Sequence, residues 1–210
     1  MILLCSATEF EIKPAIDWIN TQKHSDIQTL ITGVGSPATM FHLMKAIETQ
    51  KPQMIIQAGI AGSFRKSLVN GSVVVVKSDQ WCDLGIEDHE QFHSIFDMHF
   101  TNPNALPYTN RTIICDFPIL SNINNIPRVK AVTSNTAHGN RSSITRLINK
   151  FNPDIETMEG AAAAYICAME NIPFLQLRAI SNFVEPRNKN AWNIPLAKEN
   201  LNHTLINILQ

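Results

Sequence analysis

Four stretches of this chain carry residue types and spacings able to do chemistry. The apolar run Met1 to Leu4 leads into Ser6-Ala7-Thr8-Glu9-Phe10-Glu11, which brings two carboxylates close together. Met158-Glu159-Gly160 precedes four alanines, small residues that let a helix pack closely while its glutamate faces a cavity. Phe174 to Leu177 is a second apolar run, and it empties into Arg178-Ala179-Ile180-Ser181-Asn182. Gly33-Val34-Gly35-Ser36 opens a helix, the setting in which backbone N–H groups can cradle a phosphate. A carboxylate can deprotonate water or stabilise positive charge developing beside it. An asparagine offers a donor and an acceptor but has no proton to give. Each residue also has a plainer reading. Glu9 and Glu11 suit the first turn of a helix, Arg178 a structural ion pair, and Asn182 a turn.

A fifth stretch, His89-Glu90-Gln91-Phe92-His93, matches the H-E-x-x-H pattern of zinc sites. That pattern needs a stable helix to bring both histidines to one metal. The residues before it, Gly85 to Asp88, show no amphipathic run, so a solvated or substrate-covering loop is expected. Neither a metal nor any other cofactor is expected.

These residues need a frame, and the chain alternates strand and helix signals. Strands are expected over Met1–Cys5, Ile27–Ile31, Met54–Ile56, Val73–Val76, Val129–Thr133, Ile155–Thr157 and Phe174–Ile180. Helices are expected over 9–21, from Ser36 as N-cap with Met40, Phe41, Met44 and Ile47 on one face, and over 142–150, 158–169 and 195–209. The stretch 80–127 lacks periodic signals and reads as long loops with short strands on the sheet rim. Strands separated by crossover helices predict an α/β fold, a three-layer α/β/α arrangement around a mixed, largely parallel sheet, in one domain over 1–210. In such a sheet Ser6–Glu11, Gly33–Ser36, Gly59–Gly62 and Ser181–Asn182 should meet on one rim.

With 210 residues, 44% of them hydrophobic, the chain can bury a sizeable core. Seventeen basic residues against eighteen acidic give no footprint for nucleic acid. No apolar stretch is long enough to span a membrane, and the short apolar start is not a signal peptide. The four cysteines are scattered without a CxxC pair, as buried free thiols in a reducing compartment would be, and a cytoplasmic location is expected.

The segments D-I-E-T-M-E-G-A-A-A-A and R-A-I-S-N together resemble the nucleoside phosphorylase and nucleosidase superfamily. Asp83-Leu84-Gly85, Ser134-Asn135-Thr136-Ala137-His138-Gly139, Asn182-Phe183-Val184-Glu185-Pro186-Arg187 and Ala191-Trp192-Asn193-Ile194-Pro195 are similar to its futalosine hydrolase branch. The resemblance implies a nucleoside phosphorylase-like fold and cleavage of an N-glycosidic bond. The substrate would be futalosine, a hypoxanthine nucleoside with an aromatic 5′ extension, in menaquinone biosynthesis. It implies that Glu11 activates water, Glu159 grips the ribose hydroxyls, Arg178 pairs with a carboxylate or holds the water, and Asn182 meets the base. Met158, Ile60, Ser181 and His138 complete the implied substrate-binding set. Ile60 stands where adenine-specific relatives carry a serine. Asn182 stands where they carry an aspartate. The small-molecule nucleoside is the expected partner, with a homodimer or larger homo-oligomer as the expected assembly. An adenine-type nucleosidase, a phosphorylase, and a non-catalytic nucleoside-binding protein on the same fold remain open alternatives.

Overall fold

The computed structural model describes residues 1–115 and 123–210. The chain opens with β1 (Ile2–Ser6), α1 (Glu9–Gln22), β2 (Ile27–Ile31), α2 (Ser36–Gln50) and β3 (Met54–Ser63). β1 pairs in parallel with β2 on one side and β3 on the other. β4 (Val73–Asp79) follows, and then two short antiparallel pairs, β5 (Gly85–Asp88) with β6 (Gln91–Ser94) and β7 (Tyr108–Thr109) with β8 (Thr112–Ile114). β9 (Arg128–Thr133), α3 (Arg141–Phe151), β10 (Ile155–Thr157), α4 (Gly160–Met169), β11 (Phe174–Phe183) and α5 (Ile194–Leu209) complete the order.

Among the described residues nine strands form one mixed sheet, eight of them in the order β2-β1-β3-β10-β9-β4-β8-β7 and the ninth, β11, off that path. β11 inserts between β3, which it joins in parallel, and β4, which it joins antiparallel. The strands β3, β10, β9, β4 and β11 therefore close into a ring. The mixed sheet agrees with the sequence expectation, while its closure has no counterpart in the strand periodicity.

Helices cover the sheet on both faces. On one face, Leu43, Ala46 and Ile47 of α2 and Ala161, Ala163, Ile166 and Cys167 of α4 pack on Leu3, Ile55 and Val76. On the other, Ile12, Ala15 and Ile19 of α1 and Ala197, Leu201 and Leu205 of α5 pack on Leu4, Ile56 and Leu175. Fully buried aliphatic side chains of this size contribute about 1.5–3 kcal/mol each, so these two layers dominate the stability. All four cysteines are buried free thiols, as expected. Among the described residues no helix is long and apolar enough to cross a membrane.

Several local expectations are revised. Gly35, at φ +88°, is the N-cap of α2, and Ser36 is already helical. The buried stripe of α2 runs through Ser36, Thr39, Leu43, Ala46 and Ile47, while Phe41 is exposed. The helix has apolar residues on two faces, and only tertiary packing selects between them. β3 does not end before its glycines but runs through Gly59 and Gly62. β11 likewise continues through Ser181 and Asn182. The H-E-x-x-H segment is a β-hairpin, with His89 in its turn at positive φ and His93 on β6 opposite Ile86. The helix that would aim both histidines at one metal is not formed. The short strands expected within 80–127 are β5 to β8, although residues 116–122 of that stretch lie outside the described ones.

Candidate active site

The loop after β1, the β2–α2 turn, the end of β3, the β10–α4 junction and the end of β11 converge on a cavity of about 340 Å³. Glu11, Ile60, His138, Met158, Glu159, Ser181 and Asn182 all line it. Arg178 does not: it lies beneath the floor, 1% exposed. The four stretches expected on one rim are therefore brought together, and Arg178 supports them from below.

Glu11 projects from the first turn of α1 and is buried. One oxygen accepts the Thr8 N–H at 3.1 Å, the Thr8 hydroxyl at 2.8 Å and the Ser6 hydroxyl at 3.2 Å. The other accepts the Ile60 N–H at 3.0 Å, so the carboxylate ties α1 to β3. In the sequence both Glu9 and Glu11 suit a helix start, and the resemblance gives Glu11 the chemistry. Glu9 is exposed, and Glu11 itself satisfies the helix entry. A Cβ on Gly59 would stand 2.5 Å from Arg178 Nη1 and 3.0 Å from Glu11 Oε1. Only a residue without a side chain lets the arginine and the carboxylate approach the strand there.

Glu159 caps the start of α4, 5% exposed. Its Oε1 accepts the Gly35 N–H at 2.9 Å, and its Oε2 faces Arg178 Nη1 at 3.9 Å. Burial pushes its carboxyl above the usual range, and the Arg178 guanidinium pulls in the opposite direction. Arg178 donates from Nη2 to Gln57 at 2.9 Å, while its Nε has no partner among the described residues.

The N-terminus of α2 bears directly on the phosphate question. Its Gly35 N–H is taken by Glu159, and its Ser36 N–H is taken by Asn135 Oδ1 at 3.0 Å. The Ser36 hydroxyl accepts from Trp81 Nε1 at 3.0 Å. The donors that would cradle an anion at a helix start are turned to protein acceptors, one of them a carboxylate.

Asn182 sits just past an irregularity in β11, where the register against β3 shifts between Ile180 and Asn182. Such a bulge re-aims side chains at the end of a strand. Asn182 Oδ1 accepts the Ser181 hydroxyl at 2.8 Å, and its Nδ2 donates to the Phe183 carbonyl at 2.9 Å. One Nδ2 hydrogen is left for a ligand.

Glu156 was missed. It lines the cavity from β10, is buried, and contacts His138. A charge in the middle of Ile155-Glu156-Thr157, a strand already read as part of the sheet, was the available signal. Phe10, Val34, Phe183 and Trp192 add an apolar wall, and Arg187 stacks over the Trp192 ring at 5.4 Å.

Behind the site lies a second buried carboxylate network. Asp79 Oδ1 accepts from Gln80 N–H at 2.8 Å and Thr133 Oγ1 at 3.0 Å, and Oδ2 accepts from Gln176 Nε2 at 3.2 Å. Thr133 Oγ1 in turn accepts the Ala161 N–H at 2.8 Å in the first turn of α4. Burial pushes Asp79 up to about 7, against these hydrogen bonds and Arg178. The folded chain thus keeps a proton that the unfolded chain has released, and stability should fall as pH climbs from about 4 to about 7. Asp79→Asn should flatten that fall because the amide does not titrate, and Gln176 Oε1, without a partner among the described residues, can accept from it after a flip. Urea unfolding of both proteins from pH 4 to 8 checks this; parallel curves would refute it.

A model of the phosphorylase superfamily matches residues 23–210, and the chain belongs to that superfamily. A futalosine hydrolase of Streptomyces coelicolor is 29% identical over 154 residues, 71% of this chain; the match spans 62% of that protein's length. A 5′-methylthioadenosine/S-adenosylhomocysteine nucleosidase of Oceanobacillus iheyensis is 21% identical over 210 residues, 96% of this chain and 89% of that one. Among solved structures, the futalosine hydrolase of Helicobacter pylori superimposes with a TM-score of 0.79 at 17% identity, covering 99% of this chain and 96% of that one. This last likeness concerns the fold.

Proposed function

We propose that this chain is an N-ribosyl hydrolase that cleaves futalosine, releasing hypoxanthine and dehypoxanthine futalosine, in menaquinone biosynthesis. The observation that carries the reading is the meeting, in one cavity, of two buried carboxylates, Glu11 and Glu159, with the uncharged amide of Asn182. The similarity to futalosine hydrolases supports the substrate, and the similarity to the adenine nucleosidases supports the reaction type.

Breaking the glycosidic bond leaves positive charge on the ribose, which a carboxylate stabilises most when the charge is fully developed. Glu159 takes this role, with Arg178 holding it from below. Glu11 takes the proton of the attacking water. Water is preferred over phosphate because the α2 N-terminus is filled by Glu159 and Asn135. Met158, Ser181 and His138 line the pocket around the substrate, and the apolar wall with Ile60 suits an aromatic extension. Expected turnover is equal with and without phosphate, and a ribose-1-phosphate product would overturn the hydrolytic assignment.

Base choice falls to Asn182. Its free amide hydrogen can donate to a purine N7 or O6. An ionised aspartate would set a second acceptor against O6. A mismatch of this kind costs about 1–3 kcal/mol, or roughly ten- to a hundredfold. The protein should therefore favour hypoxanthine nucleosides over adenine analogues by about that factor, and Asn182→Asp should erode the preference. Turnover of futalosine, inosine and methylthioadenosine by both proteins tests this; an unchanged ratio would reduce Asn182 to a turn residue.

A further inference from the structure

His138 and Glu156 form a pair inside the cavity that the reaction above leaves without a chemical step. Glu156 enters from β10, and His138 from the segment between β9 and α3. One oxygen of Glu156 accepts the backbone N–H of His138 at 3.1 Å, and the other contacts Nδ1 of the same residue's ring. Both oxygens of a buried carboxylate are thus committed to one histidine. Because Nδ1 faces an acceptor, that nitrogen carries a proton, and Nε2 is the nitrogen left without a partner among the described residues. A carboxylate in this position also favours the doubly protonated ring.

Asn182 cannot give up a proton. Glu11 is assigned to the water and Glu159 to the ribose. The departing base still needs a proton, and the His138–Glu156 pair lines the same cavity as all three. We infer that His138 is the general acid that protonates the purine as it leaves, with Glu156 as the positioning residue that orients and charges the ring. This rests on the hydrolytic reading above. In the step, the electron pair of the C1′–N9 bond passes to the purine, which takes a proton from His138 Nε2. The water oxygen bonds to C1′, and its proton goes to Glu11. Solvent then restores both groups, so that one water is consumed per bond broken.

The charged groups around the ring have opposing effects. Glu156 on β10 and Asp83 after β4 hold the proton on, and together they raise His138 above its ordinary value against the pull of partial burial. Glu11 and Glu159 line the same cavity. Arg187, whose N–H donates to the Gly139 carbonyl at 3.2 Å, opposes them from the segment after β11. Activity that needs the imidazolium should accordingly be lost as pH rises through this raised value.

The test compares wild type, His138→Gln and Glu156→Gln on two substrates across pH. One is futalosine, and the other is 4-nitrophenyl β-D-ribofuranoside, whose leaving group needs no proton. His138→Gln should lose about 10²-fold in kcat/KM on futalosine and about tenfold less than that on the aryl riboside. Its alkaline limb on futalosine should vanish. In Glu156→Gln the limb should move to lower pH, since the charge that retains the proton is gone. Equal losses on both substrates, or an unmoved alkaline limb in both variants, would overturn the inference. If the wild type cleaves futalosine but not the aryl riboside, the alkaline limb alone decides. A wild type that cleaves no nucleoside would overturn the hydrolytic reading itself, and this inference with it.

Discussion

Glu159→Gln is expected to lower turnover of a hypoxanthine nucleoside by about 10²-fold or more while the protein remains folded. The fold should tolerate the change because the glutamine carbonyl can still accept the Gly35 N–H that joins α4 to α2. What disappears is the negative charge beside Arg178 in the cavity lining. Among the described residues Arg178 is already incompletely satisfied, with Nε unpartnered and its contact to Glu159 a Coulombic one at 3.9 Å. A stability cost of about 1–3 kcal/mol follows, measurable by urea unfolding. The kinetic cost should fall on kcat more than on KM, because the lost contact strengthens only as the ribose becomes cationic. Near-normal kcat in a folded variant would mean that the ribose is held elsewhere.

Glu11→Gln should be at least as damaging to turnover, by about 10²–10⁴-fold, since it removes the group proposed to take the water's proton. Its stability signature should differ. Among the described residues this carboxylate accepts from Ser6 and Thr8 on one oxygen and from the Ile60 N–H on the other. A glutamine must turn an NH₂ group toward one of these donors in either orientation. The variant should therefore melt earlier as well as work more slowly. Glu9→Gln, two residues away and exposed, should change neither property. Thermal melts and kcat on the three proteins decide this, and a Glu11→Gln enzyme with native turnover would remove Glu11 from the chemistry.

Much of this site could be read from the sequence because each site residue follows an apolar strand or opens a helix. Glu11 comes after β1, Glu159 before the alanines of α4, and Asn182 at the end of β11. In a sheet fed by crossover helices these ends share a rim, whatever their separation in sequence. The misses have a common cause. Glu11 serves the helix entry through the Thr8 N–H, but its tie to the Ile60 N–H involves another strand and is invisible in the local sequence. Glu156 reads as an ordinary strand residue until His138 arrives from outside that strand. The exposure of Phe41 depends on where α4 packs. Arg178 has the right type and the right strand, yet its depth below the floor follows from Gly59 on the neighbouring strand. Periodicity reports what a segment can bury, and contacts between distant segments decide what it does bury.

The insertion of β11 between β3 and β4 has a consequence for the chain as it is made. Up to residue 173 both neighbouring strands exist, but nothing joins them on that side. Their unpaired backbone groups then form two open edges lined by Ile55, Ile56, Val74 and Val75, the kind of surface that recruits other chains. The ten residues of β11 fill both edges at once, and they also bring Ser181 and Asn182 to the cavity and Arg178 beneath its floor. Protection from aggregation and completion of the cavity thus reach the nascent protein with the same segment.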